Sequence, residues 1–135
     1  MRCVISRLLA VALVAGGVAA CDSSETPTTP TPAPPITETF TGSIAPNGAI
    51  TSPFVATASG AVSATLTSVD PAVNMGLSLG TWNGAACQAV VANDNAPVAA
   101  TITGSVTSAS SLCVRVYDVG FVVDPVTYVV TVVHP

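Results

Sequence analysis

Apolar and polar residues alternate along the chain after residue 38, and this alternation predicts β-strands. Val62, Ala64 and Leu66, for example, interleave with serine and threonine. A period of two among β-branched residues is typical of strands that bury one face. No window keeps the spacing of three and four that an amphipathic helix requires. The pattern predicts eight strands, at residues 38–44, 49–57, 61–69, 73–82, 86–92, 98–106, 112–119 and 126–133.

Turn-forming sequences separate the predicted strands. Asn47-Gly48 and Asn83-Gly84 are favoured hairpin dipeptides, so each predicts a hairpin. The segment Asn93-Asp94-Asn95-Ala96-Pro97 predicts another turn. Pro53 indicates an edge strand or a bulge, because proline cannot donate a hydrogen bond to a central ladder. Strands at this spacing, with no helix between them, predict an all-β antiparallel sandwich or barrel.

The first 20 residues follow a different pattern, which predicts a secretory signal peptide. Arg2 and Arg7 precede an uncharged apolar segment at residues 8–20, which is shorter than the roughly 20 residues that a membrane-spanning helix needs. Residues 18–21, Val-Ala-Ala-Cys, resemble the lipobox of bacterial lipoproteins. The resemblance implies cleavage before Cys21 and acylation of its thiol by palmitate-type chains. An ordinary signal peptide cleaved near Ala20 is the alternative.

Proline and threonine dominate residues 22–37. Such a segment has too little apolar surface to repay its ordering entropy, so we expect a disordered, extended linker. The predicted organisation is a lipoprotein signal peptide at 1–20, a lipid-anchored linker at 21–37 and a β-sandwich domain at 38–135. The predicted location is the bacterial cell envelope, with the lipid in the inner or the outer membrane.

The charge balance restricts the partners of the exported chain. After cleavage it holds one cation, Arg115, against seven carboxylates, a net charge of about −6. Binding to nucleic acid depends on lysines and arginines that replace counterions, so nucleic acid is excluded as a partner. Anionic lipid headgroups do not attract such a domain either. Membrane contact is therefore expected through the lipid on Cys21.

Two cysteines remain in the predicted domain, Cys87 and Cys113. An exported protein folds in a compartment that permits disulfides, so a Cys87–Cys113 bond is the simplest interpretation. A metal or redox pair is the alternative. Neither cysteine belongs to a C-x-x-C motif, and no histidine lies nearby in the sequence.

The domain resembles bacterial pre-peptidase C-terminal-type domains over residues 39–133. The segments that carry the resemblance are residues 40–44 (FTGSI), 59–66 (SGAVSATL), 77–80 (LSLG), 113–120 (CVRVYDVG) and 128–132 (YVVTV). The resemblance implies a jelly-roll-like β-sandwich that accompanies exported enzymes, with some relatives binding collagen or carbohydrate. The family's aspartate-bearing strand is replaced here by residues 73–77, and its aromatic before the penultimate strand by Leu112-Cys113.

The sequence offers no catalytic constellation. His134 is the only histidine, and next to the terminus we expect it to be exposed, without the positioned partners that a general base needs. No G-x-S-x-G or S-x-x-K motif singles out a serine. We therefore expect no catalytic residue, no enzymatic activity and no cofactor.

Three sets of residues are candidates for ligand binding. Asn93, Asp94 and Asn95 are the best oxygen cluster for calcium, although they also suit an ordinary turn. Trp82 is the candidate for stacking on a sugar, with a partly buried core position as the alternative. Arg115 is expected to pair with a carboxylate such as Asp118, or else to clamp an acidic ligand.

These expectations combine into a non-catalytic, lipid-anchored envelope protein with a binding or structural role. The first alternative is an accessory module for carbohydrate, peptide or calcium. The second is a small hydrolase with an unrecognised site, which the scarcity of histidine and lysine disfavours.

Overall fold

In the computed structural model, which describes residues 25–29 and 31–135, the alternating segments form eight antiparallel strands and no helix. The strands are β1 (Ile36–Ile44), β2 (Ala49–Ala56), β3 (Gly60–Asp70), β4 (Met75–Trp82), β5 (Cys87–Ala96), β6 (Thr101–Val106), β7 (Ser110–Tyr117) and β8 (Val126–His134). Residues 25–29 and 31–35 form neither helix nor strand. Cys21 and the predicted signal peptide lie outside the described residues.

The strands form two four-stranded sheets in the order of a jelly roll. The first sheet is β1-β8-β3-β6 and the second is β2-β7-β4-β5. Consecutive strands pass from one sheet to the other, except for β4 and β5, which pair directly. This double Greek-key order is the jelly-roll arrangement. It confirms the predicted all-β, eight-stranded, jelly-roll-like sandwich.

The alternation along each strand determines which side chains form the core. On β8, Val126, Tyr128, Val130 and Val132 are buried, while the residues between them are at least partly exposed. The inward residues of both sheets form one apolar cluster between them. Burial of this inner face is the main stabilising term for such a sandwich. Within the described ranges no helix is long and apolar enough to cross a membrane.

One predicted hairpin is confirmed and the other is wrong. Asn83-Gly84 joins β4 to β5, whose end residues Trp82 and Cys87 pair. Asn47-Gly48 also forms a tight turn, in which the Gly48 amide donates to the Ala45 carbonyl at 2.8 Å. However, β1 and β2 lie in different sheets, so this turn is an arch between layers. A dipeptide determines the local turn, and burial of both inner faces determines which strands pair.

The predicted turn at residues 93–97 is also wrong in its position. β5 continues to Ala96, where it pairs with Met75, and the turn begins only at Pro97. The apolar contact of buried Ala96 with the core outweighs the turn preference of the polar residues before it. The position of Pro53 is confirmed, because β2 is an edge strand of the second sheet.

The two ends of the sandwich carry different loops. The N-terminal end holds the start of β1, Pro135 and the loops at residues 57–59, 83–86 and 107–109. The distal end holds the loops at residues 45–48, 71–74, 97–100 and 118–125. This division positions the candidate site described next, because the β4–β5 hairpin belongs to the N-terminal end.

Candidate ligand-binding site

The predicted disulfide is confirmed, and it joins two strands that are not neighbours. Cys87 opens β5 and Cys113 lies on β7, with β4 between them, yet the two Cα atoms are 5.8 Å apart. Strands two positions apart in a flat sheet would be separated by about 9–10 Å. The start of β5 therefore folds over β4. Gly80 permits this crossing, because a Cβ there would collide with the backbone carbonyl of Gln88.

The crossing places the start of β5 over the outer face of the second sheet. Trp82 ends β4 and is half-buried beside the hairpin loop. The Asn83 side-chain oxygen accepts hydrogen bonds from the backbone amides of Ala85 and Ala86, at 2.9 and 2.8 Å. These bonds give the loop a defined shape. The disulfide attaches the same loop to the body of the sheet.

Arg115 and Tyr117 lie on the outer face of β7, next to the segment of β5 that crosses β4. Their neighbours Val114 and Val116 point into the core, so the side chains of the alternate residues face outward. The Arg115 guanidinium carbon lies 5.1 Å from the centroid of the Tyr117 ring. This cation–π contact restricts where the guanidinium can sit.

Tyr117 is itself held from two sides. Its ring lies over Gly76 of β4, where any side chain would collide with it. Its hydroxyl donates a hydrogen bond to Oδ1 of Asp94 on β5. Burial, and then the Asp94 carboxylate, raise the pKa of Tyr117 to about 12. The Tyr117 phenol therefore remains a neutral hydrogen-bond donor at physiological pH. Its ring makes the cation–π contact with the Arg115 guanidinium.

Arg115 has no carboxylate partner among the described residues, and the expected salt bridge to Asp118 is wrong. The Asp118 carboxylate lies at the distal end and accepts hydrogen bonds from backbone amides of Asn47 and of residues 120–122, at 2.8–3.0 Å. The first of these bonds contributes most to lowering the Asp118 pKa. The carboxylate organises a loop, and the guanidinium stays available to a ligand.

Trp82 and Arg115 line the same cavity, of about 320 Å³. The other lining residues are Thr51, Ala85, Ala86 and Cys87. Ser78, which lies opposite Arg115 on β4, is 2% exposed, and its hydroxyl has no hydrogen-bond partner among the described residues. The cavity combines the indole ring of Trp82 with the guanidinium of Arg115, which forms no ion pair with the described residues. This combination suits a polar, anionic ligand.

Each of the three calcium candidates accepts a hydrogen bond within the domain. Asp94 accepts the Tyr117 hydrogen bond, while the Asn95 side-chain oxygen accepts from Nδ2 of Asn74 at 2.9 Å. The Asn93 side-chain oxygen accepts from the Asn95 backbone at 3.0 Å. Within residues 25–29 and 31–135, no group of three or more His, Cys, Asp or Glu side chains is positioned to share a metal ion. Calcium binding at residues 93–95 stays a prediction.

His134 is buried, contrary to the expectation of an exposed terminal residue. It is 1% exposed, because β8 continues to this position and pairs with the start of β1. Its Nε2 lies 2.8 Å from Oε1 of Glu38, and its Nδ1 lies 3.2 Å from the Pro135 carbonyl. The Phe54 ring packs 5.0 Å away between centroids. Both ring nitrogens lie within hydrogen-bonding distance of an oxygen atom. His134 therefore links the end of β8 to β1 in the first sheet.

Sequence reasoning identified Trp82 and Arg115 separately but did not bring them together. It missed Thr51, a lining residue that lies opposite Arg115 on β2. Ser78, opposite Arg115 on β4, shares the outer face but is buried and is not among the lining residues. The available signal was the period of two along each strand, which places all four on the outer face. The register between strands, which no local pattern encodes, was needed to complete the site.

The sequence matches no protein-family model, and no curated protein is significantly similar to it.

Proposed function

We propose that this protein is a non-catalytic ligand-binding domain held at the bacterial cell envelope by a lipid on Cys21. The supporting observation is the cavity in which Trp82, the only tryptophan, and Arg115, the only cation beyond residue 20, meet. An arginine without a protein partner, beside an aromatic ring, is typical of surfaces that recognise a ligand.

Contacts within the domain itself restrain the cavity. The disulfide, the Asn83 bonds to the hairpin backbone and the Tyr117–Asp94 bond each restrain one side of it. A preorganised site loses little conformational entropy on binding, so a small contact area is enough for useful affinity. This rigidity supports a binding role.

The anchor rests on the sequence at residues 18–21 and on the linker that follows. At about 3.1 Å per residue, a polyproline-like linker of this length reaches roughly 50 Å from the bilayer. Two or three acyl chains, at about 0.8 kcal/mol per buried methylene, hold a domain on the membrane for long periods. Mass spectrometry of the purified N-terminus tests the anchor. A diacylated or triacylated Cys21 is expected, and an unmodified Cys21 or a chain free in the medium refutes it.

An accessory role for carbohydrate or peptide is the form of this proposal that the residues favour. A panel of glycans, peptides and envelope extracts tests it with the mature protein, by the intrinsic fluorescence of Trp82. Trp82→Ala should lose binding to whichever ligand is found, measured by calorimetry. Phe121→Ala is the matched control, since Phe121 is an exposed aromatic at the distal end. Undiminished binding by Trp82→Ala excludes this cavity, and a complete lack of ligands on the panel contradicts the binding role.

A further inference from the structure

We infer that the Trp82–Arg115 cavity selects a saccharide unit that carries one carboxylate, such as a uronic acid within an otherwise neutral glycan. The inference rests on the proposed binding function and adds the chemical class of the ligand. It follows from the charge of Arg115, from the chemistry of the lining and from the charge of the surrounding domain.

Arg115 makes no ion pair with the described residues, and its stacking on Tyr117 leaves the edges of the planar fork to other acceptors. Such a fork matches the two oxygens of a carboxylate in a bidentate pair, with charge-assisted hydrogen bonds about twice as strong as neutral ones. The Arg115 guanidinium therefore suits one planar anion, such as a carboxylate.

The half-buried Trp82 ring offers an apolar face, while Thr51 contributes a hydroxyl. A ligand that satisfies both needs a flat apolar face together with hydroxyl groups, which a pyranose ring provides. The volume, about 320 Å³, lies at the lower end of small-ligand sites. The cavity thus suits one sugar unit of a longer chain.

Residues 25–135 contain six carboxylates against Arg115 alone. Asp94 stands close by, behind Tyr117. Arg115 can pair with one carboxylate, and a second, closely spaced negative charge on the ligand would meet no cation and would lie near Asp94. A single carboxylate on a neutral glycan pairs with Arg115 and brings no second negative charge.

A pair of ligands that differ only in the carboxylate tests the inference. Methyl glucuronide and methyl glucoside share the pyranose ring, and the mature protein in detergent has a single indole N–H and a single arginine Nε–H. Two-dimensional ¹H–¹⁵N spectra therefore report on Trp82 and Arg115 individually. Methyl glucuronide should shift both signals saturably and bind at least tenfold more tightly than methyl glucoside, with the difference shrinking at high salt.

Substitutions of Arg115 sharpen the test. Arg115→Gln should remove the preference for the glucuronide while leaving the remaining spectrum unchanged, and Arg115→Lys should restore only part of it, because lysine lacks the planar fork. Phe121→Ala should leave the preference intact. A preference that survives in Arg115→Gln overturns the role of the guanidinium.

The remaining outcomes separate this inference from the binding function. Equal affinity for the glucoside and the glucuronide overturns the carboxylate requirement and leaves carbohydrate binding standing. Equal affinity for succinate or an acidic peptide overturns the saccharide. Failure of both sugars, while another ligand from the panel shifts Trp82, overturns the inference alone. Failure of every ligand to shift Trp82 overturns both.

Discussion

Removal of the disulfide should lower the free energy of unfolding by about 3.5 kcal/mol. Cys87 and Cys113 are separated by 26 positions, and the chain-entropy model for a loop of this length yields about 3.5 kcal/mol at 25 °C. The suitable variant is Cys87→Ala/Cys113→Ala, because Cys113 is fully buried and serine would add an unpaired hydroxyl there. Since domains of this size are stable by roughly 5–15 kcal/mol, the variant should lose between about a fifth and about two thirds of its stability.

Guanidinium denaturation followed by Trp82 fluorescence measures this difference, since Trp82 is next to the hairpin that the disulfide attaches to the sheet. Wild type under reducing conditions is the matched control and should agree with the double alanine variant to within about 1 kcal/mol, the loss of two small side chains being the only other change. Amide hydrogen exchange should accelerate first at residues 83–88, where β5 crosses β4.

A loss smaller than about 1 kcal/mol, with the same denaturant dependence, would refute the reasoning. It would mean that β5 crosses β4 without the covalent link and that the unfolded chain gains little freedom on losing it. A loss of about 3.5 kcal/mol without faster amide exchange at residues 83–88 would have a different meaning. The disulfide would then act through the entropy of the unfolded chain and would not hold the hairpin locally.

Two further predictions concern titrating groups. Burial raises the pKa of Tyr117 to about 12 and raises that of Tyr128, so tyrosinate absorbance at 295 nm should be less than half of its maximum in the folded protein at pH 10. The stability that protonated Tyr117 contributes is complete below pH 10 and is lost as the pH rises towards 12; two tyrosines titrating near 10 in a folded chain would contradict this. Asp118 has a lowered pKa, so its contribution is present above its ordinary value of 3.8 and is lost as the pH falls below it. Asp118→Asn should reduce that acid dependence and accelerate amide exchange at residues 120–122, and an unchanged pH profile would count against the loop-organising role.

The eight strands follow from the alternation, and all of them are present. Six have both ends within two residues of the prediction; β5 extends four residues further, and β6 begins three residues later. Both deviations lie around Asn93-Asp94-Asn95, where polar composition indicated a turn. Pairing of β5 with β4 satisfies the backbone there, and the buried Ala96 extends the strand, so tertiary contacts override local preference.

The prediction for His134 failed for a similar reason. Proximity to a chain end indicated exposure, but the imidazole lies on the inner face of β8, where Phe54 of the facing sheet packs against it and Glu38 of β1 contacts its Nε2. Exposure depends on what lies opposite a residue. The sequence contains no record of that partner, because the partner is 96 positions away.

The sequence by itself determined the all-β class and the scarcity of cations, restricted Pro53 to an edge strand or a bulge, and favoured the cysteine pair, because each depends on local periodicity, backbone chemistry or composition. The tertiary structure decided which strands pair, how the disulfide folds β5 over β4, and that Trp82, Arg115, Thr51 and Ser78 share one outer face. These depend on contacts between segments distant in sequence. The free energy that selects such contacts comes from burying both sheets together, and no single segment encodes it.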